Sequence, residues 1–353
     1  MENETSSKQN YTYLLKLLGR YDCHLKRNEK SMVDFLSVNF EQYLKDLRKA
    51  NVSENNQLVG KEMCQKVDDV IDDIENNMQE IIKVLKMYRL GNIVDASIIF
   101  FNILDKMKPY LMFGYTGNFQ KDSYFRIRKV EEKQKQFERN EMFHIPLNKN
   151  HLIGTERYSM PGYPCLYLAT QIELCWYECG QPNEFYISKF DIPDEEDNTL
   201  KLIDFSQKLC DLKYSFFCWF NNEKDKDKVR NYLLKYLYTY PLRAACSVIV
   251  EHPNDKFKEE YIIPQLLLQW IRKDKDFYGV KYESCKFSDE VRNIGGYNLV
   301  LLTKDFDEDG YDKFLRNNVK ISIPHFKDFN SVNSEDPECF IHIEKSLYEL
   351  EYI

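Results

Sequence analysis

The stretch RYSMPGYPCLYLATQIELCWYE, residues 157–178, predicts a strand that is followed at once by a helix. Its apolar run 165–169 is typical of a short buried strand. A Thr-x-x-Glu capping-box pattern that begins at Thr170 predicts a helix ending at Gly180. Glu178 would then lie in the last turn, at the edge of the apolar helix face. An arginine, a tyrosine and a glutamate therefore meet at one junction, which suits an anionic, ribose-containing substrate.

Upstream of this junction the chain carries a helical pattern. Ser31 followed by Asp34 resembles a capping box, and apolar residues then recur at three- and four-residue spacing. Three helices are predicted here: one from Ser31 onward, one at 61–89 with Gly91 as its stop, and one at 92–108 ended by Pro109. The glycine-containing segment 113–118 is typical of a linker.

Beyond the linker, short strands alternate with helices. The predicted strands are 124–130, 165–169, 185–192, 200–205, 280–283 and 297–302, and the predicted helices are 170–180, 225–238 and 264–272. The fold class is therefore predicted as α+β, with an N-terminal all-α helical domain at 1–113, a mixed domain at 114–320 and a C-terminal extension at 321–353.

Composition narrows the classes of function. The 353-residue chain has 57 acidic and 49 basic residues, a net charge of -8, so it has no overall positive field for nucleic acid. No apolar run approaches the roughly 18 residues of a membrane helix, and the acidic start is unlike a secretory signal. Ten scattered cysteines then indicate reduced thiols. We expect a cytoplasmic protein without a membrane partner.

Two groups of residues could carry chemistry. Arg126 and Arg128 are two apart on a predicted strand, so they share a face and could clamp a pyrophosphate, although arginines on an alternating strand are also common at surfaces. Glu178 could stabilise positive charge on a sugar ring or orient a ribose hydroxyl. Its alternative role is a structural ion pair.

Two competing interpretations are weaker. Arg139 and His144 have an Arg-x4-His spacing that small helical ribonucleases use, but such a loose pair often arises by chance. Metal binding would need clustered ligands, and neither Cys23-His24 nor Cys175 with Cys179 has a matching second pair at zinc spacing. No metal site is therefore predicted.

Several blocks of the chain, in order and over roughly residues 120–305, resemble the RES-domain family, which is named for its arginine, glutamate and serine. The blocks are FHIPLNKN (143–150), RYSMPGYPCLYLA (157–169), CWYE (175–178), YPLRAACS (240–247), EYIIPQLLLQW (260–270), GVKYES (279–284) and NLVLL (298–302). They are most similar to the subgroup with a helical N-terminal extension. The family often has Gly-Gly-Arg-Trp-Asn where this chain has TERYS (155–159).

The resemblance implies an ADP-ribosyltransferase-like split sheet with flanking helices and an activity that cuts the nicotinamide–ribose bond of NAD+. Such an enzyme is an NAD+ phosphorylase, with inorganic phosphate as co-substrate, or an NAD+ glycohydrolase; it needs no cofactor or metal and is often a toxin with a partner antitoxin. The alternatives are an ADP-ribosyltransferase that modifies a protein or nucleic acid, and a non-catalytic binding module with a degenerate RES domain. The sequence leaves the oligomeric state open.

The resemblance also assigns site residues by position. The implied catalytic residues are Glu178, Arg126 and Ser284. The implied substrate-binding residues are Arg157 and Tyr167. We add Arg128, which shares a strand face with Arg126, and Tyr158 and Asn298, which lie within the matching blocks, as further candidates for substrate binding.

Overall fold

Among the described residues, long helices occupy most of the first third of the chain, and most of the remaining described residues belong to a sheet with helices beside it. The computed structural model describes residues 20–21, 24–52, 60–111, 123–130, 136–192, 200–206, 226–286, 294–329 and 339–353. The predicted linker at 113–118 lies outside the described residues. Within them the protein is mixed α/β, with helices and an eight-stranded mixed sheet.

The elements have these bounds. The helices are α1 (Met32–Val52), α2 (Gly60–Arg89), α3 (Ile93–Leu111), α4 (Ile172–Glu178), α5 (Lys226–Cys246), α6 (Ile262–Lys273), α7 (Lys313–Asn318) and α8 (Cys339–Lys345). The strands are β1 (Tyr124–Lys129), β2 (Cys165–Ala169), β3 (Glu184–Asp191), β4 (Lys201–Asp204), β5 (Phe277–Tyr282), β6 (Asn298–Leu302), β7 (Lys320–Ile321) and β8 (His325–Asp328).

The starts and stops of the first helices follow local chemistry. Ser31 caps α1, because its Oγ accepts the N–H of Asp34 at 3.1 Å and donates to the Asp34 carboxylate at 2.6 Å. Gly91 ends α2 with φ of +86°, a conformation that glycine adopts without strain. These two predictions are confirmed.

The predicted end of α3 is wrong. Pro109 lies inside this helix, which continues to Leu111. Met107 and Leu111 are fully buried, and the Tyr110 ring stacks on Tyr238 at 3.9 Å. Packing of the last turn therefore outweighs the hydrogen bond that proline cannot donate. Helix α5 likewise runs through Pro241 to Cys246, beyond its predicted end at 238, because its C-terminal part is buried.

The strands lie in the order β4-β5-β6-β2-β1-β3-β7, and β8 also pairs with β3. All these pairs are antiparallel except β4 with β5, which is parallel. Strand β1 is in register with β3 over its whole length, and β2 is in register with β6 over its whole length. Between β1 and β2, in contrast, the described register is the single pair Phe125–Ala169. The sheet thus consists of two halves, β4-β5-β6-β2 and β1-β3 with β7 and β8, whose described pairing is the single residue pair Phe125–Ala169.

Each face of the sheet has its own core. The face beneath α4 contains Phe125, Ile127, Ala169, Ile172 and Cys175. The opposite face contains Tyr124, Phe143, Leu166, Leu168 and Leu299. Because side chains alternate along a strand, Arg126 and Arg128 belong to the second face, opposite Phe125 and Ile127 as predicted.

Contacts between residues divide the chain into two units. The helical unit is Met1–Phe113 with Gln207–Leu267, and the sheet unit is Gly114–Ser206 with Leu268–Ile353. These units differ from the predicted domains in two respects: α5 belongs with the N-terminal helices, and part of the predicted C-terminal extension belongs to the sheet, where β8 pairs with β3. The three predicted domains stay a prediction. No described helix has the length and apolarity to cross a bilayer.

Candidate functional site

Glu178, the last residue of α4, accepts hydrogen bonds from two separate parts of the sheet unit. Its Oε1 accepts from the Ser284 hydroxyl at 2.6 Å and from the Asn298 amide at 2.7 Å. Its Oε2 lies 3.4 Å from Lys286 Nζ, which also contacts the main-chain carbonyl of Glu178. The carboxylate is one-quarter exposed. One oxygen is therefore fixed by two neutral donors, while the other faces a cation.

The pairing of three neighbouring strands explains why these groups meet. Tyr282 ends β5 in register with Asn298 of β6, and Asn298 is in turn in register with Ala169, the end of β2. Ser284 follows β5 by two residues, and α4 begins soon after β2. The strand ends thus bring Ser284 and Asn298 to the last turn of α4.

Thr170 does not cap α4 as predicted. The residue before the helix is Gln171, whose side chain makes no capping bond. The Thr170 hydroxyl instead accepts the N–H of Tyr297 at 2.7 Å and donates to its carbonyl at 3.3 Å. This contact holds Tyr297, the residue before Asn298, against the end of β2. It therefore helps to position Asn298 for its hydrogen bond to Glu178.

Arg157, Tyr158 and Tyr167 are linked to Glu178 through Tyr282. Tyr167 donates its hydroxyl to the Tyr158 carbonyl at 2.8 Å, and burial raises the pKa of Tyr167 well above its ordinary value. The Tyr158 ring, which is buried, lies 4.5 Å from that of Tyr282. Burial and the nearby Glu178 carboxylate raise the pKa of Tyr282, whereas Arg157 lowers it. Glu178 and Arg157 therefore both lie near enough to Tyr282 to affect the pKa of its hydroxyl.

The two arginines of β1 are held by main-chain carbonyls. Arg126 donates to the carbonyl of Met142 at 3.0 Å and to that of Phe143, and Arg128 donates to the Phe143 carbonyl at 3.3 Å. Burial lowers the pKa of Arg126 to about 9, and the Arg128 guanidinium adds to this shift. With a pKa of about 9, Arg126 still carries its charge near neutral pH.

Polar groups beside these arginines lack partners within the described part of the chain. Arg128 Nε has none, and neither has the hydroxyl of the buried Ser188, which is in register with Arg126 on β3. Arg126 also lies close enough to the end of α4 to lower the pKa of Cys179. The arginine pair therefore lies within electrostatic reach of the end of α4, and Arg128 Nε is an unused donor.

Sequence reasoning missed Lys286 and Tyr282. Lys286, which is exposed, stands two residues after Ser284 and outside any regular strand or helix, so no periodic pattern could mark it. Tyr282 lies two residues before Ser284, within a block that resembles the RES family. Only this position could have marked it in the sequence.

The ribonuclease-like pair is engaged elsewhere. Arg139 donates to the Glu351 carboxylate at 2.6 Å and to the Glu349 carbonyl at 3.0 Å. His144 is buried: its Nδ1 lies 2.9 Å from the Ile145 carbonyl, and its Nε2 accepts the N–H of Asp312 at 2.9 Å. Burial lowers the pKa of His144 to about 4. A neutral histidine with both nitrogens engaged by the main chain is structural.

Among the described residues, one group has a spacing that could hold a metal ion, and it lies in the helical unit. Oxygen and nitrogen atoms of Glu29, Glu251 and His252 lie within 4.8 Å of one another. Arg27 Nε is 3.6 Å from the Glu251 carboxylate and supplies positive charge there already. None of the residues predicted for the site belongs to this group.

Comparison with known proteins gives one informative relative. The chain is 30% identical over 278 residues to a Bacillus subtilis (strain 168) protein named "Putative toxin YopC". The alignment covers 75% of this chain and 61% of that protein, so the chain spans less than two thirds of its relative. No protein-family model and no solved structure matches the chain. The chain is thus similar to a protein named as a toxin.

Proposed function

We propose that the protein is an NAD+-consuming enzyme that cleaves the bond between nicotinamide and ribose. The observation that carries the proposal is the Glu178 carboxylate, which Ser284 and Asn298 hold in one orientation. As the bond breaks, positive charge moves from the nicotinamide nitrogen to the ribose ring. A fixed carboxylate stabilises that charge without having to reorganise.

The surrounding groups supply the other parts of such a site. Arg126 and Arg128 suit a pyrophosphate, because they are half-buried cations on one face of β1. Among their described hydrogen bonds, the acceptors are main-chain carbonyls. Arg157, Tyr158 and Tyr167 would line the space beside the nicotinamide ribose. The side chain of Glu178 offers Oε2 on its open side, next to Lys286.

The sheet and the relative support the finer assignments. A sheet with two halves joined at one residue pair is what an ADP-ribosyltransferase-like split sheet, and hence a RES domain, would have. Similarity to a protein named as a toxin supports a toxin of a toxin–antitoxin or defence system, with an antitoxin as partner. In that role the acceptor is water, which yields ADP-ribose, or inorganic phosphate, which yields ADP-ribose-1''-phosphate.

Release of nicotinamide tests the proposal. Purified protein incubated with NAD+, with and without phosphate, should release nicotinamide, and chromatography of the second product names the acceptor. Replacing Glu178→Gln should lower the rate by about 10²- to 10³-fold, the usual effect of losing one preorganised electrostatic group. Glu173→Gln, in the first turn of the same helix, is the matched control and should keep the rate within about threefold.

Two results would count against the assignment. If the wild type releases no nicotinamide, the chain does not cleave NAD+ under these conditions. That result would favour the alternative of a non-catalytic binding module. If Glu178→Gln retains full turnover, the reaction is catalysed by other groups. Label transferred from NAD+ to a protein or nucleic acid would identify an ADP-ribosyltransferase.

A further inference from the structure

We propose that Lys286 is a resident counter-ion of Glu178, and that the positively charged nicotinamide end of the substrate displaces it on binding. The ammonium group of Lys286 then sets how strongly the site attracts a cation. The identity of the substrate rests on the proposed function, which the inference deepens by assigning a competing cation to the same carboxylate.

The two oxygens of Glu178 are engaged differently. Oε1 accepts two hydrogen bonds, from the Ser284 hydroxyl at 2.6 Å and from the Asn298 amide at 2.7 Å. Among the described contacts, Oε2 has Lys286 Nζ at 3.4 Å as its neighbour. Oε2 is therefore the oxygen that is left to face a substrate, and a cation already lies beside it.

The turn that leads to Lys286 is fixed by a residue of the site itself. The Ser284 hydroxyl accepts the N–H of Lys286 at 3.2 Å, a local bond that is typical of serine turns. The same hydroxyl donates to Glu178 Oε1. Ser284 therefore orients the acid with its proton and places the main chain of Lys286 with its oxygen.

Lys286 can leave Oε2 and keep a second contact. Its Nζ also contacts the main-chain carbonyl of Glu178, at the carbonyl end of α4, where a positive charge is favourable. The side chain of Lys286 is 53% exposed and belongs to no regular helix or strand. Ion pairs with one exposed partner are weak, because water competes for the charge. A small movement of the flexible lysine side chain therefore frees Oε2.

The charge of the substrate explains why this lysine matters. NAD+ carries a fixed positive charge on its nicotinamide ring, and this charge passes to the ribose as the bond breaks. A carboxylate that is already paired with an ammonium group attracts a second cation less strongly, and the two cations repel each other. Lys286 therefore weakens the binding of a cationic nicotinamide group and has little effect on a neutral one.

Two small ligands that are not cleaved test this difference in charge. 1-Methylnicotinamide is a cation, nicotinamide is its neutral counterpart, and both are titrated into the full chain and followed by NMR. Lys286→Met should bind 1-methylnicotinamide about three- to fivefold more tightly than the wild type, the usual strength of an exposed ion pair. Its affinity for nicotinamide should stay within about twofold. In steady-state kinetics the same variant should have a lower KM for NAD+ with no loss of kcat.

Two controls separate charge from structure. Lys286→Arg keeps the positive charge and should keep the wild-type affinity for 1-methylnicotinamide. Lys313→Met removes a matched ion pair, since Lys313 Nζ lies 3.3 Å from the Asp305 carboxylate and the lysine side chain is 47% exposed. It should change neither affinity. Lys286→Gln replaces Lys286→Met if the methionine variant has a lower melting temperature.

The outcomes distinguish this inference from the proposed function. It is overturned if Lys286→Met binds 1-methylnicotinamide no more tightly than the wild type, or if neither protein binds it. A lower kcat with an unchanged KM also overturns it, because Lys286 would then position Glu178. If NAD+ is not cleaved but Lys286→Met still prefers the cation, the inference holds and the proposed function alone fails.

Discussion

Glu178 and Arg126 are both half-buried charged groups, yet they are held in opposite ways. Glu178 has matched partners: two neutral donors on one oxygen and Lys286 beside the other. Arg126 has main-chain carbonyls as its described acceptors and a second guanidinium, Arg128, as its neighbour. The acid is therefore oriented before any ligand arrives, whereas burial and the neighbouring guanidinium disfavour the charge of Arg126.

This difference separates two tasks. A group that stabilises a developing charge works best when it is already fixed, as Glu178 is. A group that binds an anion gains most when the ligand itself supplies the missing counter-charge. The acid side of the site would therefore govern the rate, and the arginine side would govern substrate binding.

The largest expected effect comes from Arg126→Met. Removing two charge-assisted hydrogen bonds to a pyrophosphate should lower kcat/KM by about 10²- to 10³-fold, chiefly by raising KM. The melting temperature should not fall, because the substitution also removes a desolvated cation. Steady-state kinetics and a thermal scan measure both. An unchanged KM, or a loss of activity explained by unfolding, would show that the arginine side is structural.

Arg139→Met is the matched control for that comparison. Arg139 lies in the same unit, and its charge is already paired with Glu351. Its replacement should leave KM unchanged.

Local patterns of the sequence predicted the elements that carry the site. Strand β2 has the predicted bounds, 165–169, and α4 ends at Glu178 just before the predicted stop at Gly180. Both depend on neighbours in the chain: an apolar run bounded by turn residues, and a glycine that can adopt positive φ. Such signals act over a few residues and can be recognised without the fold.

Contacts between distant segments could not be predicted in the same way. The Thr170 hydroxyl has a local capping role available, yet it bonds with Tyr297, because β2 and β6 pair side by side. Pro109 stays within α3 because the turn after it is buried. Ser284 and Asn298 were named through a resemblance, since neither a serine after a strand nor an asparagine at its start is informative alone. The outcome at these positions is set by tertiary packing.

The next effect is a pH dependence on the arginine side. Burial lowers the pKa of His144 to about 4 from an ordinary 6.5, and Arg126 contributes to the shift. His144 in the unfolded chain therefore becomes protonated below about pH 6.5, whereas His144 in the folded chain stays neutral down to about pH 4. Above pH 6.5 the neutral His144 does not reduce the free energy of unfolding. As the pH falls from 6.5 to 4, this free energy decreases by up to about 3 kcal/mol.

A comparison of His144→Gln with the wild type isolates that contribution. Carboxylates also titrate in this range, so the readout is the difference in unfolding free energy between the two proteins, measured by urea titration at several pH values. We expect this difference to shrink by about 1.4 kcal/mol per pH unit between 6.5 and 4, because only the wild type loses the histidine term. A constant difference would mean that His144 is not held neutral.

The smallest expected effects are on the acid side, where two donors share one oxygen. Ser284→Ala and Asn298→Ala each remove one bond to Glu178 Oε1 and leave the other. Each should lower kcat by about tenfold, the usual cost of one hydrogen bond to a charged group. The double variant leaves Lys286 as the described contact of the carboxylate, so its loss should exceed the sum of the single losses by about 1 kcal/mol. Steady-state kinetics of the wild type, the two single variants and the double variant measure this coupling energy. Strictly additive losses would mean that Ser284 and Asn298 act independently of each other, and that they do not hold Glu178 in one orientation together.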